Sequence, residues 1–189
     1  MNRRDALSTV SILIGGSVIG ADIFLKGCAS ENKTGTIFFN SEQLSFLREV
    51  CETILPKTDT PGATDAKVAE FADIYVKDCY TADNQKIFTT GLQKIDEHCK
   101  EMCGKTFMEC QPQQRLDCLN KIYKESLEYG KTKKETDPNH YFKLIKEVTL
   151  LGFFTSELGG TKVLRHIAVP VKYDGSAAYK QGEPAWLDY

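Results

Sequence analysis

The sequence is short of the features from which an activity is ordinarily read. No Gly-x-Ser-x-Gly, Gly-x-Gly-x-x-Gly or Gly-x-x-x-x-Gly-Lys-Ser/Thr occurs, so no hydrolase elbow, dinucleotide fold or phosphate loop is signalled. No Cys-x-x-Cys pair is present, so zinc-finger spacing is missing, and without Cys-x-x-Cys-His the chain attaches no c-type haem. Three histidines, His98, His140 and His166, stand without neighbours that complete a triad or a ligand set. Lys and Arg (24) do not exceed Asp and Glu (26), and no basic stripe interleaves with aromatics, so nucleic-acid binding is unsupported. No run alternates with period two for long enough to make a strand. The carboxylates in the most distinctive contexts, Glu157 and Asp174, suit a helix end and an Asp-Gly turn. No catalytic, cofactor-binding or metal-binding residue is assigned in this chain.

What is present is apolar surface at helical spacing. The stretch 141–154, YFKLIKEVTLLGFF, begins with Lys143, Lys146 and Glu147 on one polar face and ends apolar all round. That pattern marks a helix entering a core or a partner's surface. Asp137 as N-cap, Pro138 at the first helical position and Gly159-Gly160 as the stop bound it. Four further helices are expected. One follows Asn40-Ser41 with Leu44, Leu47, Cys51 and Ile54 as its stripe, and Pro56 ends it. The next carries Val68, Phe71, Ala72, Tyr75 and Cys79, and a third runs from near Thr81 to Cys103 with Gly104 as C-cap. A fourth opens at Pro112 and closes at Gly130. The class is all-α, a bundle of about five helices in one domain, residues 38–189. An extended aromatic tail after Gly160 bears Tyr173, Tyr179, Trp186 and Tyr189. Pro170, Gly175, Gly182 and Pro184 keep it from being helix, and it lies either on its own bundle or on another protein.

The first residues have the grammar of an export signal: Arg3-Arg4, an apolar run over 10–21 too short to span a bilayer, then Leu25-Lys26-Gly27-Cys28. The paired arginines resemble a twin-arginine signal, with Ala6 and Ser8 as departures. The ending resembles a lipobox in which Cys28 is lipidated, with Lys26 as a departure. Residues 1–27 are thus expected to be the signal and 28–37 a polar tether. The destination is the periplasm, or the membrane as a lipoprotein of the cell envelope. Setting Cys28 aside leaves Cys51, Cys79, Cys99, Cys103, Cys110 and Cys118, which are either disulfides or buried thiols. Six cysteines allow 15 pairings and the sequence does not choose among them. Residues 57–65, KTDTPGATD, have turn chemistry and are either a plain connector or a loop shaped for a partner.

Three segments carry a resemblance. Residues 54–63, ILPKTDTPGA, are similar to the pattern Ile-Ile/Leu-Pro-x-Thr-Asp-Thr-Pro-Gly-Ala of the gluconate 2-dehydrogenase subunit 3 family. Residues 150–157, LLGFFTSE, resemble its Leu-Gly-Tyr/Phe-Tyr/Phe-Thr-Ser-Glu. Residues 169–175, VPVKYDG, resemble its Val-Pro-Gly-x-Tyr-Asp-Gly, with Val171 in place of the glycine. Where relatives carry a cysteine this chain has Ser176, so the resemblance offers Cys79 no partner there.

The resemblance implies a non-catalytic accessory or maturation subunit. Its partner would be a large FAD-dependent subunit of the glucose-methanol-choline oxidoreductase type, acting on a sugar or sugar acid. A cytochrome c carrying haem often completes such complexes, while this chain holds no cofactor. The surfaces expected to meet the partner are Thr58, Asp59, Thr60, Pro61 and Gly62; Phe153, Phe154, Thr155 and Glu157; and Tyr173, Asp174, Gly175 and Trp186. Two other readings stand beside this one: a stand-alone ligand-binding lipoprotein, and a thiol-redox protein using Cys99 and Cys103.

Overall fold

The computed structural model describes residues 38–167, 169, 175, 176, 178 and 180–187. The expected signal, the tether, Cys28, Tyr173 and Asp174 lie outside the described residues. Within them the chain forms five α-helices: α1 Ser41–Ile54, α2 Val68–Cys79, α3 Ala82–Cys103, α4 Pro112–Thr132 and α5 Tyr141–Phe154. A 3-10 turn, Phe107–Glu109, joins α3 to α4, and a π-helical turn, Gly159–Val163, follows α5. No strand occurs among the described residues; one isolated parallel bridge joins Arg165 to Trp186. The all-α bundle is therefore the fold. Among the described residues no helix is long and apolar enough to cross a membrane.

The helix starts are mostly local chemistry. Asn40 and Gln43 form a capping box: Gln43 N–H donates to Asn40 Oδ1 at 2.8 Å, and Asn40 N–H to Gln43 Oε1 at 3.1 Å. Thr81 Oγ1 caps α3 by accepting from Asn84 N–H, and Gly104, at φ 69°, ends that helix in the left-handed region. Pro112 sits in the first turn of α4 behind a Gln111–Gln114 box.

Three expected boundaries move. Helix α4 does not close at Gly130 but runs on to Thr132, with Lys133 N–H donating to Tyr129 O at 2.9 Å. Gly130 is thus an ordinary helical glycine with open space around it. Helix α5 begins three residues later than expected. Asp137 is occupied in the preceding turn, where its Oδ2 accepts from Lys134 N–H at 2.8 Å, and His140 caps α5 through Nδ1, which accepts from Phe142 N–H at 3.2 Å. At the other end α5 stops at Phe154, before the Gly159-Gly160 pair. The N–H and Oγ1 of Thr155 both return to Leu151 O, and the chain re-forms as the π turn at Gly159. Gly159 lies so close to Phe153 O that no side chain fits there.

His140 gives the fold a pH dependence. Burial pushes its imidazole below the usual value of 6.5. A depressed histidine favours the neutral form in the folded state, and only the neutral ring can accept at Nδ1. Its contribution is therefore complete above about pH 6.5 and is lost as pH falls through the lower folded value. Loss of an N-cap costs about 1 kcal/mol, so acidification should lower the melting midpoint by about 2–4 °C. His140→Asn should keep the cap and lack this component, as thermal melts across the acid range will show.

Helix α5 packs against all four other helices. Its Leu144, Ile145, Val148 and Phe153 are buried, each contributing about 1.5–3 kcal/mol by leaving water. The buried Thr149 hydroxyl is satisfied by Ile145 O at 2.8 Å and lies 3.3 Å from the Cys51 sulfur. Ahead of α1, Phe39 is fully buried against Phe88, and its N–H donates to Asp73 Oδ1 at 2.7 Å. That bond fixes the lead-in of the chain to α2.

Candidate partner interface

The loop between α1 and α2 is organised around Glu52, in the last turn of α1. Its Oε1 accepts from Lys57 N–H at 2.9 Å and its Oε2 from Thr64 N–H at 2.8 Å, so one carboxylate grips both ends of the loop. Gly62 passes directly over that carboxylate, where a Cβ would collide with it. Asp65 closes the loop from the other side: it pairs with Lys57 Nζ at 3.0 Å and accepts from Gly62 N–H at 3.3 Å. The Lys57 ammonium, with the Gly62 N–H second, holds the Asp65 carboxyl below its ordinary value. Ala63 is buried; its N–H donates to Leu55 O and its carbonyl accepts from Val68 N–H, both at 3.0 Å. Thr58, Asp59 and Thr60 are left exposed at the tip, with Pro61 half-buried and Gly62 buried. This is a rigid surface loop with its backbone already satisfied.

Glu52 was not among the residues singled out from sequence. A signal for it exists: an acidic side chain in the last turn of a helix opposes the helix dipole, and α1 has no basic residue there to offset it. Such a residue is worth examining for another task.

The loop leads into α2 through Lys67, the one described non-glycine residue with positive φ, at 54°. Helix α2 also receives the second expected surface. Gly152 of α5 packs on Phe71 so closely that a Cβ would stand 2.6 Å from the ring. Phe153 turns inward and is buried, whereas Phe154 is half-buried and Thr155 and Glu157 are exposed. Leu151 is 39 % exposed, and Ile74 on α2 is 62 % exposed. The apolar end of α5 is thus buried on one side and uncovered on the other.

Of the third expected surface, Gly175 is exposed and Trp186 is half-buried. Trp186 stacks under the Arg165 guanidinium at 4.6 Å, flanked by Arg165 N–H to Ala185 O at 2.8 Å and Leu187 N–H to Arg165 O at 3.0 Å. Arg165 also pairs with Glu183 at 3.2 Å. This part of the tail lies on its own chain, while Val169, 74 % exposed, does not.

His98 faces Glu125 across 3.6 Å. A cleft of about 680 Å³ lies between α1, α3 and the 3-10 turn, lined by Phe46, Thr89, Gln93, Asp96, Lys100 and Met108. Two of its polar groups are engaged beside that turn: Asp96 Oδ1 accepts from Phe107 N–H at 2.8 Å and Oδ2 pairs with Lys100 at 2.7 Å. Burial pushes the Cys99 thiol up, opposite to the lowered thiol that redox-active cysteines need. Cys51, equally buried, is pushed up to about 12.

The family model described as Gluconate 2-dehydrogenase subunit 3 matches residues 41–174, from the first residue of α1 through the tail motif. No curated protein and no solved structure matches this chain.

Proposed function

The chain belongs to the gluconate 2-dehydrogenase subunit 3 family, and on that premise we propose that it is the accessory subunit of an FAD-dependent sugar or sugar-acid dehydrogenase of the cell envelope. The observation that carries this reading is the family match itself, which spans all five helices and names a subunit of a larger complex. The surface supports it: the rigid loop with exposed Thr58, Asp59 and Thr60 and the uncovered Leu151 and Ile74 offer a preordered polar and apolar face. A preordered surface binds without first losing loop entropy.

In this reading the flavin sits in a large subunit of the glucose-methanol-choline type, and a cytochrome c takes the electrons. The present chain supplies binding surface rather than chemistry. The paired Arg3-Arg4 supports a role in export, since a flavoprotein that folds around FAD in the cytoplasm must cross the membrane folded. Lipidation of Cys28 would then hold the complex at the membrane.

Two measurements test this. Mild-detergent capture of the full chain should bring down a large protein with flavin absorbance. Deletion of the chain should leave that protein unexported and its dehydrogenase activity lost; full export and activity without it would end the proposal. Cys28→Ala should release the complex from the membrane fraction without altering its turnover.

A further inference from the structure

A hollow of about 360 Å³ lies between the first half of α3 and the start of α5, and none of its lining residues belongs to the partner surfaces above. Lys86, Thr90 and Lys94 form one wall; they stand four residues apart on α3 and so share a face. The facing wall is Tyr129 of α4 with His140 and Tyr141 at the start of α5. Its rings form a row: the His140 centroid lies 4.3 Å from that of Tyr141 and 5.8 Å from that of Tyr129. The Lys94 ammonium stands 5.5 Å from the Tyr141 centroid. Gly91 makes this approach possible, because a Cβ there would stand 2.6 Å from that of Tyr141. The facing wall is also fixed in place. Tyr129 OH donates to Pro138 O at 2.9 Å, and Lys133 Nζ donates to Asp137 O at 3.2 Å and to Asn139 Oδ1 at 2.9 Å. Binding there orders little backbone.

We infer that this hollow binds a small hydroxylated carboxylate of the sugar-acid class, its charge held by Lys86 and Lys94 and its C–H face laid on Tyr141 and His140. Charge is the first reason. The lining holds two lysines and no carboxylate, and neither lysine makes an ion pair among the described residues. Glu125, one turn before Tyr129 on α4, faces His98 at 3.6 Å instead of lining the hollow. The larger cleft beside the 3-10 turn, by contrast, sets Glu42, Asp96 and Glu97 against Lys100. Reach is the second reason. Lys86 and Lys94 each stand about 6 Å of axial rise from Thr90, within the span of a lysine side chain, so both ammonium groups can reach one molecule lying there.

The rest of the lining selects the body of the ligand. Aromatic faces carry negative potential and attract polarised C–H groups, which favours the C–H face of a polyol over a bare inorganic anion. Because His140 Nδ1 accepts from Phe142 N–H at 3.2 Å, the neutral ring keeps its proton on Nε2 as one further donor. Past Lys86, Ile87 and Pro138 the hollow opens into a second one of about 540 Å³. That space adds Thr81, Asn84 and Thr136, whose hydroxyl and amide groups suit hydroxyl partners. It also adds Asp83, which accepts from hydroxyls and repels a second negative group. The lining therefore fits one carboxylate on a neutral hydroxylated body, and the main hollow has the volume of a small-ligand site.

The full chain, in mild detergent, is titrated with D-gluconate, D-glucuronate, D-glucose and inorganic phosphate while the imidazole proton resonances are followed by NMR. The chain has only His98, His140 and His166, and the His140→Asn variant identifies the signal that matters by its loss. In the millimolar range at least one of the two acids should shift the His140 signal and leave that of His98 in place. D-glucose and phosphate should bind about ten-fold more weakly or worse. Lys86→Gln and Lys94→Gln change exposed residues, so each should weaken the acid about five- to ten-fold with the melting midpoint unchanged. Lys131→Gln, at an exposed lysine outside both hollows, should leave binding as it was. A His140 signal unmoved by either acid would overturn the site. Equal binding of D-glucose or phosphate would overturn the ligand class, and an equal loss in Lys131→Gln would reduce the binding to general charge attraction. The titration uses this chain alone, so its failure leaves the flavoprotein reading standing, and failed capture of a flavoprotein leaves the site standing.

Discussion

Replacing Glu52 by alanine is expected to release the loop over residues 57–66 while leaving the bundle folded. The carboxylate accepts from the amides of Lys57 and Thr64, and hydrogen bonds to a charged group contribute about 1.5–3 kcal/mol each. No other side chain described at the loop holds both ends at once; Asp65 holds Gly62 and Lys57 on the far side. With Glu52 gone, the Lys57 and Thr64 amides should lose hydrogen-exchange protection, while those in the middle of α5 keep theirs. If the loop is a partner surface, ordering it again on binding weakens the complex by about 3 kcal/mol, on the order of 100-fold in affinity for the large subunit. Glu52→Gln retains one oxygen acceptor and should fall between the two. Unchanged exchange at both amides would remove Glu52 from the account, and unchanged capture with a released loop would remove the loop from the interface.

The second large effect is expected at Gly152. In the interior of an exposed helix, glycine to alanine normally stabilises by about 0.5–1 kcal/mol. Gly130 in α4 has open space around it and should behave that way. Gly152 should show the opposite sign, because any Cβ enters the Phe71 ring at the contact between α2 and α5. Gly152→Val is expected to cost about 3 kcal/mol, the upper part of the range for overpacking a core. That corresponds to a fall of about 6–12 °C in melting midpoint for a domain of this size. Shortening the obstacle with Phe71→Leu should recover part of the loss in the Gly152→Val background. A Gly152→Val protein that melts with the parent would show that α2 and α5 can separate freely, and the close-approach reading of the motif glycine would fall with it.

The two effects assign different physical tasks to residues within the family motifs. In the stretch 54–63 the glycine is there so the backbone can cross a carboxylate, and the exposed Thr58, Asp59 and Thr60 are what a partner can reach. In the stretch 150–157 Gly152 and Phe153 belong to the core, Leu150, Phe154 and Ser156 are half-buried, and Leu151, Thr155 and Glu157 are exposed. Phe153, expected from sequence to lie at the interface, contributes through packing instead.

By itself the sequence determined the helical class, three of the five helix starts, and the family, through the ordered motifs at 54–63, 150–157 and 169–175. These are legible because capping bonds and apolar periodicity act within about four residues of chain. The start of α5 escaped because Asp137 was free to serve the turn before it, and two equally local uses of one carboxylate look alike in a sequence. Only the tertiary structure decided which distant groups meet: Asp73 with the Phe39 amide across 34 positions, and Thr149 with Cys51 across 98. Those contacts depend on how whole helices pack, through burial that is non-directional and leaves no periodic mark on the chain.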